Sequence, residues 1–80
     1  MSVIREFKGA MVEITAFADI VGECETLEFN SLSPSRRLDM AVSQRDDDQQ
    51  HLYFSINGQL DLDADYVLWA IQYAKDYFVC

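Results

Sequence analysis

Over residues 11–20 apolar and polar positions alternate with a period of two. Val12, Ile14, Ala16, Ala18 and Ile20 fall on one side, and Glu13, Thr15, Phe17 and Asp19 on the other. That spacing belongs to a strand with one buried face. Val21, Gly22 and Glu23 read as a turn, and residues 24–30 as a second strand with Leu27 and Phe29 inward and Thr26 and Glu28 outward. Pro34 among Ser31, Ser33 and Ser35 marks a loop. Residues 37–43 alternate again, with Leu38, Met40 and Val42 inward and Asp39 outward. A polar turn over residues 46–50 leads to a fourth strand whose inner face is Leu52, Phe54 and Ile56. The links are short, so antiparallel pairing is the natural connection.

Asn57-Gly58 is a turn signal with two continuations. One closes a hairpin onto a short strand at residues 59–62. The other enters a helix capped by Asp61 or Asp63, where acids suit the positive N-terminus. Residues 65–79 contain no Gly or Pro, and Val67, Ile71, Ala74 and Phe78 recur at spacings of 4, 3 and 4. This is one face of a helix running from about residue 63 to about residue 79. Residues 1–10 fit either a short strand or a short helix. The expected architecture is a single α+β domain spanning residues 1–80. It has an antiparallel sheet of four strands, or five, with the C-terminal helix packed on one face.

Composition narrows the class of partner. Fourteen Asp and Glu against six Lys and Arg give a net charge of -8. Such a charge repels nucleic acid and anionic membrane and favours a protein partner with a basic surface. Residues 1–10 are net +1, residues 11–30 carry five acids and no base, and Asp46, Asp47 and Asp48 add -3. No apolar stretch has the length of a membrane span or of a signal-peptide core. Cys24 and Cys80 are too few for a disulfide-stapled secreted domain and are expected to be reduced thiols in a cytoplasmic protein.

Candidate chemistry is sparse. Asp61, Asp63 and Asp65 have the spacing of the start of a calcium loop, but Tyr66 and Gln72 stand where such a loop needs Gly and Glu. Helix capping is the better reading, and no metal or other cofactor is expected. His51 is the only histidine, and no nucleophile–base spacing, G-x-S-x-G or Gly-rich phosphate loop accompanies it. The chain is therefore not expected to be an enzyme. Two surfaces remain. On the outer face of the sheet, Glu13, Asp19, Glu28 and Asp39, together with the turn acids Asp46, Asp47 and Asp48, form a candidate acidic binding surface. On the helix, Tyr66, Trp69, Tyr73 and Tyr77 fall together beside the core face. They either pack on the sheet with their hydroxyls in water or form an aromatic patch for a partner or a second copy. The expected state is a monomer, or a weak homodimer where a second copy occupies that patch.

In size, acidity and lack of a catalytic motif the chain resembles small phage-encoded anti-CRISPR and anti-restriction proteins, some of which are DNA mimics. The resemblance is one of class, spans the whole chain and rests on no residue motif. It implies an inhibitor that docks on a basic, nucleic-acid-binding surface of a defence complex in the host cytoplasm. The charge is adequate for that task. A domain of this size is about 30 Å across, and duplex DNA of that length carries roughly 18 charges. Fourteen carboxylates and a net charge of -8 match one side of a short duplex. The alternative expectation is a small adaptor or assembly protein that binds through the aromatic face of the helix.

Overall fold

In the computed structural model, residues 2–19, 24–33, 35–45, 48–58 and 61–78 are described, and for Ala18, Asp19, Cys24, Arg45, Asp48, Gln49 and Gln50 the backbone alone. Five strands are followed by one helix: β1 (Ser2–Phe7), β2 (Ala10–Asp19), β3 (Cys24–Ser31), β4 (Arg37–Arg45), β5 (Asp48–Ile56) and α1 (Ala64–Phe78). Each strand pairs antiparallel with the next, so the sheet order is β1-β2-β3-β4-β5. The protein is an α+β domain with the helix on one face of a meander. The fifth strand comes from the N-terminus. Phe7 pairs with Ala10, which leaves a two-residue turn with Lys8 at φ 48° and Gly9 at φ 83°. Two successive left-handed residues match the twist of a tight hairpin, and Gly9 adopts that conformation without a Cβ clash.

Pairing fixes which residues share a face, because directly opposed residues point the same way. Two rows run across the inner face: Val3, Ile14, Phe29, Met40 and Ile56, then Ala16, Leu27, Val42 and Phe54. Val12, Ile14, Leu27, Phe29, Met40 and Val42 are buried there beneath α1. The helix contributes Tyr66, Ala70, Ala74 and Phe78 to the core, with Val67, Trp69 and Tyr73 packed at its margin. The closest line of approach thus runs along two alanines rather than along Val67 and Ile71, which are only half-buried. Small side chains at the contact line let the helix backbone sit near the sheet, and the large ones straddle it. Asp63 caps the helix, accepting a hydrogen bond of 2.8 Å from the Asp65 amide on Oδ1.

Two features depart from the sequence pattern. The first is a bulge. Phe29 pairs with Met40 but the next residue, Asn30, pairs with Leu38, so Asp39 is an extra residue in β4. One inserted residue reverses the alternation beyond it. Leu38, expected inward, is 42% exposed on the outer face, and Asp39, expected outward, is fully buried. The second is at β5. Its residues Phe54 and Ile56 do lie on the inner face, opposite Val42 and Met40, yet they are 41% and 44% exposed because the helix does not reach the edge strand. β5 also begins at Asp48, inside the stretch expected to be a turn. The possible hairpin strand at residues 59–62 is not formed at Asp61 and Leu62, and Gln59 and Leu60 lie outside the described residues.

Candidate functional site

The outer face of the sheet lies opposite the helix, and its register defines what it offers, with Asn30 buried within it. One row holds Ile4, Glu13, Asn30 and Leu38; the next holds Ser2, Thr15, Glu28, Ala41 and Ser55; a third holds Phe17, Thr26, Ser43 and Tyr53. Glu6 and Met11 pair beyond the first row. Five large apolar side chains stand exposed here: Ile4, Met11, Phe17, Leu38 and Tyr53. Between them lie Glu6, Glu13 and Glu28. The Thr26 and Ser43 hydroxyls bond to one another at 2.9 Å. Arg36 Nη2 meets Glu13 Oε1 at 2.9 Å, so one of the three glutamates is partly neutralised. The face is therefore mixed, apolar and acidic, where the sequence alone suggested acids and hydroxyls.

Of the residues expected on this acidic surface, Glu13 and Glu28 are brought together on the outer face. Asp19 occupies an outer register position, opposite Cys24. Asp48 opens β5. Asp46 and Asp47 lie outside the described residues. Asp39 leaves the set altogether. Its carboxylate sits in the core and accepts hydrogen bonds from the Ser31 hydroxyl, from Arg37 Nε at 2.9 Å and from the Tyr66 hydroxyl at 2.8 Å. Three donors, one of them charged, offset the desolvation of a buried carboxylate. The Asp39 carbonyl also accepts from the Asn57 amide at 3.0 Å, which fastens the bulge to the end of β5. Ile4, Met11, Phe17, Leu38 and Tyr53 are the surface residues that sequence reasoning missed. Alternation already placed Phe17 outward, and its exposure was the available signal.

The helix aromatics are divided. Tyr66 is 8% exposed with its hydroxyl on Asp39 rather than in water. Burial, then the hydrogen bond to Asp39, holds its phenol far above the ordinary value near 10. Trp69 packs on Phe7 and Phe29, and Tyr73 meets Phe29 edge-on at 6.0 Å between ring centroids. Only Tyr77 keeps a large exposed area, 40%, with its hydroxyl 3.5 Å from Glu25. Tyr66 is thus a core residue, while Trp69 and Tyr73 are partly buried, packed against the core in a ring series that runs Tyr66, Trp69, Tyr73.

A cleft of about 300 Å³ lies between the β1–β2 turn and the N-terminus of α1, lined by Phe7, Lys8, Ser31, Arg37, Asp61 and Tyr66 among others. Its cations are bound by acids of the same chain: Lys8 Nζ reaches Asp65 at 2.9 Å and Asp63 at 3.8 Å, and Arg37 holds Asp39. Among the described residues no group of three or more His, Cys, Asp or Glu is placed to hold a metal ion. No helix among them is long and apolar enough to cross a membrane. A scan of family models, a search of curated proteins and a search of solved structures each gave no match to this chain.

Proposed function

We propose that the protein is a small acidic inhibitor that lays its outer sheet face on a basic, nucleic-acid-binding surface of another protein, in the manner of anti-CRISPR proteins. The observation that carries this reading is the composition of that face: exposed Ile4, Met11, Phe17, Leu38 and Tyr53 interleaved with Glu6, Glu13 and Glu28. Apolar and aromatic anchors supply affinity at protein interfaces, and acids around them select a basic partner and speed the encounter. Charge elsewhere supports the same choice. Lys8, Arg36 and Arg37, three of the six basic residues, are held in ion pairs within the chain, which leaves fewer cations to oppose a basic partner. The apolar anchors make the surface a protein-docking face that competes with nucleic acid rather than a full imitation of a duplex.

The alternative, an adaptor that binds through the helix aromatics, has less support, because Tyr66, Trp69 and Tyr73 already pack in or against the core. The test uses immobilised protein and a cell-extract fraction enriched on duplex DNA. Wild type should retain proteins that excess duplex DNA releases. A Glu6→Gln, Glu13→Gln, Glu28→Gln variant should retain them at least tenfold more weakly, about the effect of removing 1.4 kcal/mol. Retention that DNA cannot displace, or that the variant keeps in full, would overturn the proposal.

A further inference from the structure

The two edges of the sheet are not alike. An edge strand presents unpaired backbone N–H and C=O groups, and proteins commonly guard it with charge, proline or short length. β1 has six residues and carries Arg5 and Glu6, with Lys8 just beyond. β5 has nine, and from Gln49 through Ile56 it contains no charged residue and no proline. The chain stays uncharged as far as Leu60, in a protein where 25% of residues are charged. Exposed apolar side chains stand on both faces of the sheet: Phe54 and Ile56 on the helix side, and Tyr53 on the other between His51 and Ser55, each of the three more than 40% exposed. Three extra residues, Gln49, Gln50 and His51, interrupt its pairing with β4 between Asp48 and Leu52, and Leu52 to Ile56 run regularly along Gln44 to Met40. Among the described residues no strand lies beyond β5.

We infer that β5 is a docking edge for a second copy of this chain. The two β5 strands pair antiparallel about a two-fold axis and join two five-stranded sheets into one of ten strands, with both helices on the same face. Charge argues for this occupant. Each copy carries -8 and repels the other over most of its surface, and β5 is where two copies can touch without bringing carboxylates together. A basic partner, conversely, would find no acid on this strand between Gln49 and Ile56. Antiparallel pairing also keeps the Asp48 ends of the two strands roughly 20 Å apart, more than twice the screening length of about 8 Å at physiological salt. The apolar positions match themselves. With the axis at Phe54, that residue faces its own mate and Leu52 faces Ile56 of the other copy, all on the inner side. Phe54 and Ile56, left open beside α1, are then covered from both copies. The charged β1 edges stay outermost, so the assembly closes at two copies rather than growing into a fibre.

Sedimentation of the full chain in reducing buffer, so that Cys24 and Cys80 form no cross-link, tests the inference. Edge pairing of this kind buries less than about 1,200 Å², so a reversible dimer in the upper micromolar range is expected. Phe54→Lys should weaken it by tenfold or more, and Ile4→Lys on the outer face of β1 should leave it unchanged. Hydrogen exchange on the wild type provides a second reading that needs no variant. Amides of β5 should gain protection as concentration rises through the dimer range, and those of β1 should not. A wild type that stays monomeric across that range, a dimer unaffected by Phe54→Lys, or assembly that grows beyond two copies would each overturn the inference. Dimerisation is read without any partner, so this result is independent of the inhibitor proposal.

Discussion

Asp39 shows how one residue decides both a fold detail and a false expectation. In the sequence it sits in the unbroken series Leu38, Asp39, Met40, Ala41, Val42, where alternation assigns an acid to solvent. The bulge places it instead against Ser31, Arg37 and Tyr66, residues 8, 2 and 27 positions away. Nothing local in the sequence announces that arrangement, because its three donors come from three separate elements. Tyr66→Phe keeps the ring and removes one donor, which should cost about 1.5–3 kcal/mol, the range for a hydrogen bond to a charged group. The phenol also imposes a sign on the pH dependence. Its folded value is raised above the ordinary 10, first by burial and then by Asp39. The folded state therefore holds the proton longer than the unfolded chain does. The stability this contributes is complete below pH 10 and declines as the pH rises beyond it, where the unfolded chain ionises first. Thermal melts of wild type and Tyr66→Phe should differ most at neutral pH and converge above pH 10. A gap that stays constant up to pH 11 would show that the phenol is not held protonated by the fold.

At the scale of elements, strands were legible because one face is buried, and period-two patterning survives wherever that holds. Val12, Ile14, Leu27, Phe29, Met40 and Val42 could all be assigned inward from spacing alone, and all are buried. The helix was equally readable, and of the two cap candidates, Asp61 and Asp63, the structure uses Asp63. Its rotation was not. Weighting by hydrophobicity favours Val67 and Ile71 over alanine, but the sheet selects the residues that allow the closest approach, and those are Ala70 and Ala74, both fully buried. β1 was left open because six residues are too few to separate two periods, although Gly9 in a two-residue turn was a signal for a hairpin. Two substitutions test the helix placement. Ala70→Leu has no room on the contact line and should cost about 1–3 kcal/mol through overpacking. Leu68→Ala, at a position 64% exposed, should stay within about 0.5 kcal/mol of wild type. Midpoints of urea unfolding compare them directly. If Leu68→Ala were the more damaging of the two, the buried face would be the one centred near Leu68, more than a third of a turn from the face described here.

For the whole molecule, the outer face joins two kinds of side chain that act on different steps of binding, and this allows the inhibitor proposal to be taken apart kinetically. Carboxylates act at a distance. They accelerate encounter with a basic surface, and their effect fades as salt shortens the screening length to about 8 Å at 0.15 M. Exposed apolar anchors act only after contact, by resisting separation. The sequence made the first contribution visible as a net charge of -8. The second became visible only once pairing placed Ile4, Met11, Phe17, Leu38 and Tyr53 on one side of the sheet. With a partner captured as described above, Glu6→Gln, Glu13→Gln, Glu28→Gln should lower the association rate and flatten its dependence on ionic strength, while dissociation changes little. Phe17→Ser should do the reverse. Its ring is 47% exposed, so the fold tolerates the loss, and an anchor at the centre of an interface is worth about 2 kcal/mol or more, roughly thirtyfold in dissociation rate. The two effects should add in the combined variant, because one lies in encounter and the other in residence. Stopped-flow or surface-binding kinetics at low and moderate salt separate the two rates. If Phe17→Ser changes neither rate while the glutamine variant abolishes binding, the face works by charge alone and duplex imitation replaces protein docking. If both variants bind as wild type does, the outer face is not the interface.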